Sequence, residues 1–190
     1  MLPRRAGATL SACLITDGRL ALLPILTTAR LELRPATLED AAFFLRLLNE
    51  PSWLENIGDR GVRTLADAEG YIRNNIWVPY QAHGFGLHTV LLKSSPLPIG
   101  LCGLLKRDFL AAPDLGFALL PEFCGLGLAT EAARAVLSHA QAGLGIGRLY
   151  AIVKPGNQRS VRLLEQLGFR HEGPCQIPQG DEVELFQLNA

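Results

Sequence analysis

Residues 124–133 read Cys-Gly-Leu-Gly-Leu-Ala-Thr-Glu-Ala-Ala, two glycines one residue apart followed at once by residues that favour helix. On the N-terminal side, "DLGFALL" (114–120) is a short apolar run that stops at Pro121, which reads as a strand. On the C-terminal side, Leu128, Ala132, Ala135, Val136, Ala140 and Leu144 fall along one helical stripe, and a glycine stop follows. A strand that enters a helix through glycines gathers unpaired backbone N–H groups at the positive end of a helix dipole. That geometry suits a phosphate, and glycine allows its close approach.

Nucleotide motifs of two common kinds fit poorly. A P-loop requires a Lys after the second glycine, and none follows Gly127. A dinucleotide fingerprint needs a third glycine, direct entry from a strand and a ribose-binding acid about 20 residues on. Here Thr130 occupies the third position, Pro121, Glu122 and Phe123 intervene, and the next strand ends in "VKPGN".

The flanking sequence supplies the rest of the fold. "ARLELRP" (29–35) alternates as a strand. "TLEDAAFFLRLLNE" and "TLADAEGYIRNNI" each begin with Thr followed three residues later by Asp, and read as two helices joined by an irregular segment containing Trp53, Gly58 and Gly61. "GFGLHTVLL" and "IGLCGLLKR" form an expected hairpin about "KSSPLP". After the central helix come the strand "RLYAIVK", the short helix "RSVRLLEQL", and closing strands "FRHEG" and "DEVELFQL". The order β-α-α-β-β-β-α-β-α-β-β predicts an α/β fold with a mixed, mostly antiparallel central sheet flanked by helices.

Taken together, these blocks resemble the GNAT superfamily of acyl-CoA-dependent N-acetyltransferases, in the branch that includes the ribosomal-protein N-terminal (alanine or serine) acetyltransferases. The family's pyrophosphate loop, [QR]-x-x-G-x-[GA], falls on Cys124 to Ala129. The pattern V-x-P-x-N-x-x-S-x-x-x-L-E-x-x-G-F is met by Val153, Pro155, Asn157, Ser160, Leu164, Glu165, Gly168 and Phe169. The resemblance covers about residues 26 to 188, with Cys124 in place of the usual Arg or Gln and Leu126 where a basic residue is common.

The resemblance implies acetyl-CoA as co-substrate, with its phosphates on the backbone of Cys124, Gly125, Leu126, Gly127, Leu128, Ala129 and Thr130. It implies that strand 114–120 splays from strand 148–154 and that the pantetheine arm lies in the gap, where an N–H near Leu119 or Leu120 polarises the thioester. Asn157 falls at the position whose amide bonds the cofactor arm, and it is equally a good helix N-cap. The Tyr that many relatives use as an acid is Leu164 here, so Ser160 is the candidate proton donor and a further cofactor contact. Asp114 is the candidate base, acting through water, with Asp181, Glu182 and His88 as rivals. Glu131 reads as structural, and Arg134, Lys154, Arg159 and Arg162 as phosphate partners or plain solvated charges. Trp53, Trp77 and Tyr80 either line the acceptor site or belong to the core.

Eighteen basic and eighteen acidic residues leave no net charge to favour nucleic acid or an anionic membrane, and 48% apolar content fits a soluble globular domain. Cys13, Cys102, Cys124 and Cys175 lack zinc or disulfide spacing, so no metal is expected and a reducing, cytoplasmic setting is. Residues 1–24 are an N-terminal extension, either a hairpin about Asp17-Gly18 or disordered. Their apolar stretch is too broken for a signal peptide, and 25–190 form one domain. The expected acceptor is a primary amine on a protein N-terminus or small molecule, and the protein a monomer or homodimer. A non-catalytic acyl-CoA sensor is the alternative.

Overall fold

The computed structural model describes residues 10–15, 19–178 and 180–189. Leu10–Ile15 (β1) and Arg19–Pro24 (β2) pair antiparallel as a ribbon of their own; the expected Asp17-Gly18 turn lies outside the described residues. The main sheet is built from Leu26–Thr27 (β3), Leu31–Arg34 (β4), Leu87–Leu92 (β5), Pro98–Leu105 (β6), Asp114–Leu119 (β7), Arg148–Val153 (β8), Arg170–Gln176 (β9) and Glu182–Asn189 (β10). Its order is β3-β4-β5-β6-β7-β8-β10-β9. Neighbours run antiparallel except β7 and β8, which are parallel, as a helical crossover between them requires.

The helices are Ala41–Leu48 (α1), Pro51–Asn56 (α2), Leu65–Tyr71 (α3), Val78–His83 (α4), Leu128–Leu144 (α5) and Gln158–Gln166 (α6). Both Thr-x-x-Asp starts hold. The Asp40 carboxylate accepts the Thr37 N–H at 2.9 Å, and Thr64 and Asp67 exchange bonds of 2.9 and 3.1 Å. Asp40 also takes a two-pronged contact from Arg34, at 2.8 and 2.7 Å, which ties β4 to the start of α1.

Two features depart from the sequence reading. The irregular segment contains α2, begun by Pro51 at its first position, where the missing N–H is not needed. The helix from Thr64 runs on through a wide π-type turn, Ile72–Trp77, into α4 and ends at Gly84 with φ +74°. Pro79 accounts for the wide turn: it cannot donate to the carbonyl four residues back, and its ring crowds that carbonyl.

The sheet separates two apolar cores. On one face α5 and α6 bury Leu128, Ala132, Val136, Ala140 and Leu164 against Leu115, Leu149, Ala151 and Phe186. On the other, α1 to α4 bury Phe44, Leu47, Trp53, Ile72, Ile76 and Tyr80 against Leu101 and Leu120. The parallel pair β7/β8 lies between these layers.

Candidate active site

β7 and β8 pair only where Asp114 lies beside Tyr150, with the Tyr150 N–H donating to Pro113 C=O at 2.9 Å. Beyond that point they part, while β6 and β10 remain paired along their outer edges. The backbone of β7 facing this gap follows from its register. Leu120 donates to Ile99 C=O at 2.9 Å, and Leu119 stands opposite Gly100. Bonded pairs alternate in an antiparallel ladder, so Ala118 and Leu120 are turned toward β6, and the N–H and C=O of Phe117 and Leu119 toward β8. Of the two expected polarising donors, Leu119 has the right direction. Leu120 is corrected: its N–H is spent on β6, and its side chain is buried in the α1–α4 core.

The glycine loop sits just past the open end of the gap. Gly125 and Gly127 have φ of +79° and +73°, conformations that side-chain-bearing residues rarely adopt. The first bond within α5 runs from Glu131 N–H to Gly127 C=O at 3.1 Å, which leaves the N–H groups of Leu128, Ala129 and Thr130 for a ligand at the helix entrance. Side chains contribute little here. Leu128 is buried in the core, Leu126 is exposed, and the Cys124 thiol folds back toward the Leu120 and Leu119 carbonyls at 3.6 and 3.9 Å. The cradle is therefore made of backbone.

α6 brings the second motif to the same region. The Asn157 Oδ1 accepts the Ser160 N–H at 3.1 Å, so Asn157 caps α6 while its Nδ2 donor remains for another partner. Ser160 is half-buried one turn away. Leu164 is fully buried in the core and has no ionisable proton to give.

Other candidates take structural places. Asp114 is buried at the closed end of the gap, and both its oxygens bind Arg107 Nε, at 3.1 and 3.0 Å. Burial pushes its pKa up, and Arg107 opposes the shift. A carboxylate so occupied anchors the loop before β7 and is poorly placed to accept a proton from an amine. His88 is fully buried, its Nε2 is 3.2 Å from Pro24 C=O, and burial lowers its pKa to about 4, so it is no base for neutral pH. Trp53 and Tyr80 belong to the core, and Trp77 donates to Ala36 C=O at 2.8 Å. Asp181 and Glu182 stay exposed at the start of β10, and Arg134, Arg159 and Arg162 are exposed.

Several residues that the sequence did not single out frame the site. Arg46 of α1 reaches Glu122, just past β7, at 2.8 Å, and Lys154, just past β8, donates to Glu55 C=O of α2 at 2.7 Å. These ties set the α1–α2 unit across the open end of the gap. Exposed pairs of this kind add little stability, so their effect is placement. Glu131 accepts from Thr28 Oγ1 at 2.5 Å, Arg30 N–H at 2.8 Å and Arg30 Nε at 2.6 Å, which bears out its structural reading. Burial raises its pKa, but these bonds outweigh it and the net shift is downward. Among the described residues no group of three or more His, Cys, Asp or Glu could hold a metal, and no helix is long and apolar enough to cross a membrane.

Comparison with known proteins agrees with this geometry. Residues 30–170 match the family model described as an acetyltransferase (GNAT) domain. The uncharacterized N-acetyltransferase p20 of Bacillus licheniformis is 28% identical over 151 residues, covering 78% of this chain and 83% of that protein. An acetyltransferase structure from Agrobacterium tumefaciens superposes with a TM-score of 0.76 at 22% identity, over 92% of this chain and 99% of that one. The ribosomal L7/L12 alpha-N-protein acetyltransferase RimL, solved with coenzyme A, superposes with a TM-score of 0.75 at 18% identity, over 87% and 97% of the two chains. With a mixed sheet parted at one parallel pair, a glycine loop opening the helix between those strands and a matching family model over most of its length, the chain belongs to the GNAT acetyltransferase family.

Proposed function

We propose that this chain moves an acetyl group from acetyl-CoA to a primary amine, on a protein N-terminus or a small molecule, by direct attack within the gap between β7 and β8. The observation that carries the reading is the conjunction of three donor sets at one end of that gap: Leu119 N–H inside it, the N–H groups of Leu128 to Thr130 at the α5 entrance, and the spare Asn157 amide. Their spread suits an extended arm ending in phosphates. Acetyl-CoA brings an activated thioester. Leu119 N–H would donate to the acyl oxygen as charge develops there, the α5 N–H groups would hold the pyrophosphate, and Asn157 Nδ2 would hold the arm.

Ser160 would give a proton to the departing sulfur. A thiol of ordinary pKa near 8.5 needs only a weak donor at neutral pH. With Asp114 held by Arg107, the exposed Asp181 and Glu182 are the carboxylates left for the amine's proton. A formal net charge of zero gives no overall field to draw in a polycation, which favours a neutral small amine or a peptide N-terminus.

The test is acceptor-dependent release of free thiol from acetyl-CoA across a panel of N-terminal peptides and small amines, with thermal shifts by acetyl-CoA, CoA, NAD and ATP alongside. A CoA-specific shift with acetyl transfer to at least one acceptor is expected. A shift with no turnover on any acceptor assigns the sensor role instead, which the buried Leu164 and the occupied Asp114 would then explain. No shift with CoA overturns both.

A further inference from the structure

Arg30 lies about a hundred residues from the glycine loop and forms its outer wall. Its Nη1 donates to Leu126 C=O at 3.0 Å, its Nε and main-chain N–H both bind the Glu131 carboxylate, and Thr28 Oγ1 binds the same carboxylate. A Cβ on Gly127 would lie 3.6 Å from Arg30 Nη2, so the guanidinium packs directly against the loop. The backbone here is fixed in turn by β4, since Leu31 N–H donates to Thr28 Oγ1 at 2.9 Å and Lys93 N–H to Arg30 C=O at 2.9 Å.

The bond to Leu126 sets the direction of a peptide plane. In a trans peptide the C=O of one residue and the N–H of the next point opposite ways. With Leu126 C=O held toward Arg30, Gly127 N–H is aimed away from Arg30. The loop has glycine at 125 and 127, where peptide rotation meets little steric resistance, so nothing in its own sequence prevents the plane from flipping and turning a carbonyl toward the phosphates. Glu131 presents a second problem, a carboxylate in the first turn of the phosphate-binding helix. Arg30 is bound to it.

We propose that Arg30 is a positioning residue for the CoA pyrophosphate. It locks the 126–127 peptide in the orientation that gives Gly127 N–H to the cradle, and it cancels the Glu131 charge without itself touching phosphate. The inference rests on the CoA reading above. It explains how a loop with Cys124 and Leu126 at its usually polar positions holds a dianionic group: its backbone is oriented from behind and the nearest carboxylate is neutralised.

The test measures binding of CoA and dephospho-CoA by calorimetry to wild type, Arg30→Met, Arg30→Lys and the double variant Arg30→Met/Glu131→Gln, with unfolding curves for each. Loss of one donor to a charged group predicts about a tenfold or larger rise in Kd for Arg30→Met, equal for both ligands because both carry the pyrophosphate. The double variant should recover only part of it, since cancelling the carboxylate leaves the peptide unlocked. Arg30→Lys keeps the charge but cannot reach Glu131 and Leu126 together, so it should also bind weakly, and it carries the test if Arg30→Met does not fold. In kinetics, KM for acetyl-CoA should rise with kcat little changed. Wild-type affinity in both Arg30→Met and Arg30→Lys, full recovery in the double variant, or a loss confined to CoA overturns the inference. Failure of wild type to bind either ligand overturns the CoA reading beneath it.

Discussion

Asn157 has one role that the structure shows and one proposed above, and a substitution pair separates them. Its Oδ1 accepts the Ser160 N–H at 3.1 Å and caps α6, and its Nδ2 is the donor assigned to the cofactor arm. Asn157→Ala removes both. Loss of a cap costs about 1 kcal/mol, which in a chain of this length lowers Tm by about 2–4 °C. Asn157→Asp is nearly isosteric, keeps an acceptor for the Ser160 N–H and adds a favourable charge at the helix start, so its Tm should match wild type or exceed it. It cannot donate to a carbonyl. A net hydrogen bond of about 1 kcal/mol predicts a KM for acetyl-CoA raised about fivefold in both variants, more in Asp if the arm's carbonyl faces the new charge. Thermal unfolding without ligand and initial-rate kinetics on the same preparations decide the matter. If Asn157→Asp keeps the wild-type KM, the amide makes no bond to the arm. If Asn157→Ala loses no stability, the cap is worth nothing here and the bond geometry has been over-read.

Other expectations follow from single contacts. Gly103→Ala should destabilise by about 1–3 kcal/mol, because a Cβ there would lie 2.1 Å from Gly86 O and 2.7 Å from Leu87 Cα, backbone that cannot yield cheaply; Gly147→Ala, with nothing within 4 Å, should unfold in urea like wild type. Asp114→Asn should lower kcat less than tenfold, since its carboxylate serves Arg107; a drop of about a hundredfold or more would restore it as the base. His88 has a folded pKa of about 4 against 6.5, so the unfolded chain takes up the proton first as pH falls. The stability it contributes is present above pH 6.5 and lost as pH drops toward 4, by about 3 kcal/mol. Urea midpoints measured from pH 7 to pH 4 should therefore fall more steeply for wild type than for His88→Gln, and parallel curves would show that His88 is not buried as described.

The elements whose signal is side-chain periodicity were visible in the sequence: the α5 stripe, the alternation of β4, the Thr-x-x-Asp helix starts and the motif from Val153 to Phe169. The two departures among the helices have local causes that pattern reading weighs too lightly. Pro51 starts a helix that its irregular surroundings hid, and Pro79 widens a helix that was read from its Thr-x-x-Asp start alone. Asp114 was seen as an acid on a strand, but its partner Arg107 lies on a loop with no periodicity to place it.

The candidate site was legible only in part because the groups proposed for it are largely backbone. The alternation of apolar residues says which face of β7 each side chain takes, but N–H direction lies in the plane of the sheet and depends on which neighbour the strand pairs with at each residue. Leu119 and Leu120 are chemically identical and adjacent, and only the bond from Leu120 to Ile99 tells which of them points into the gap. The same holds in the glycine loop. A sequence that puts Cys124 and Leu126 at the usually polar positions leaves the loop to be oriented from elsewhere, and says nothing of where. Arg30 answers that through contacts made across about a hundred residues, to a carbonyl and to a carboxylate that looked merely structural. A loop emptied of side-chain chemistry thus transfers the burden of its orientation to whatever packs behind it, and that partner is where substitutions should tune cofactor affinity without touching the cofactor.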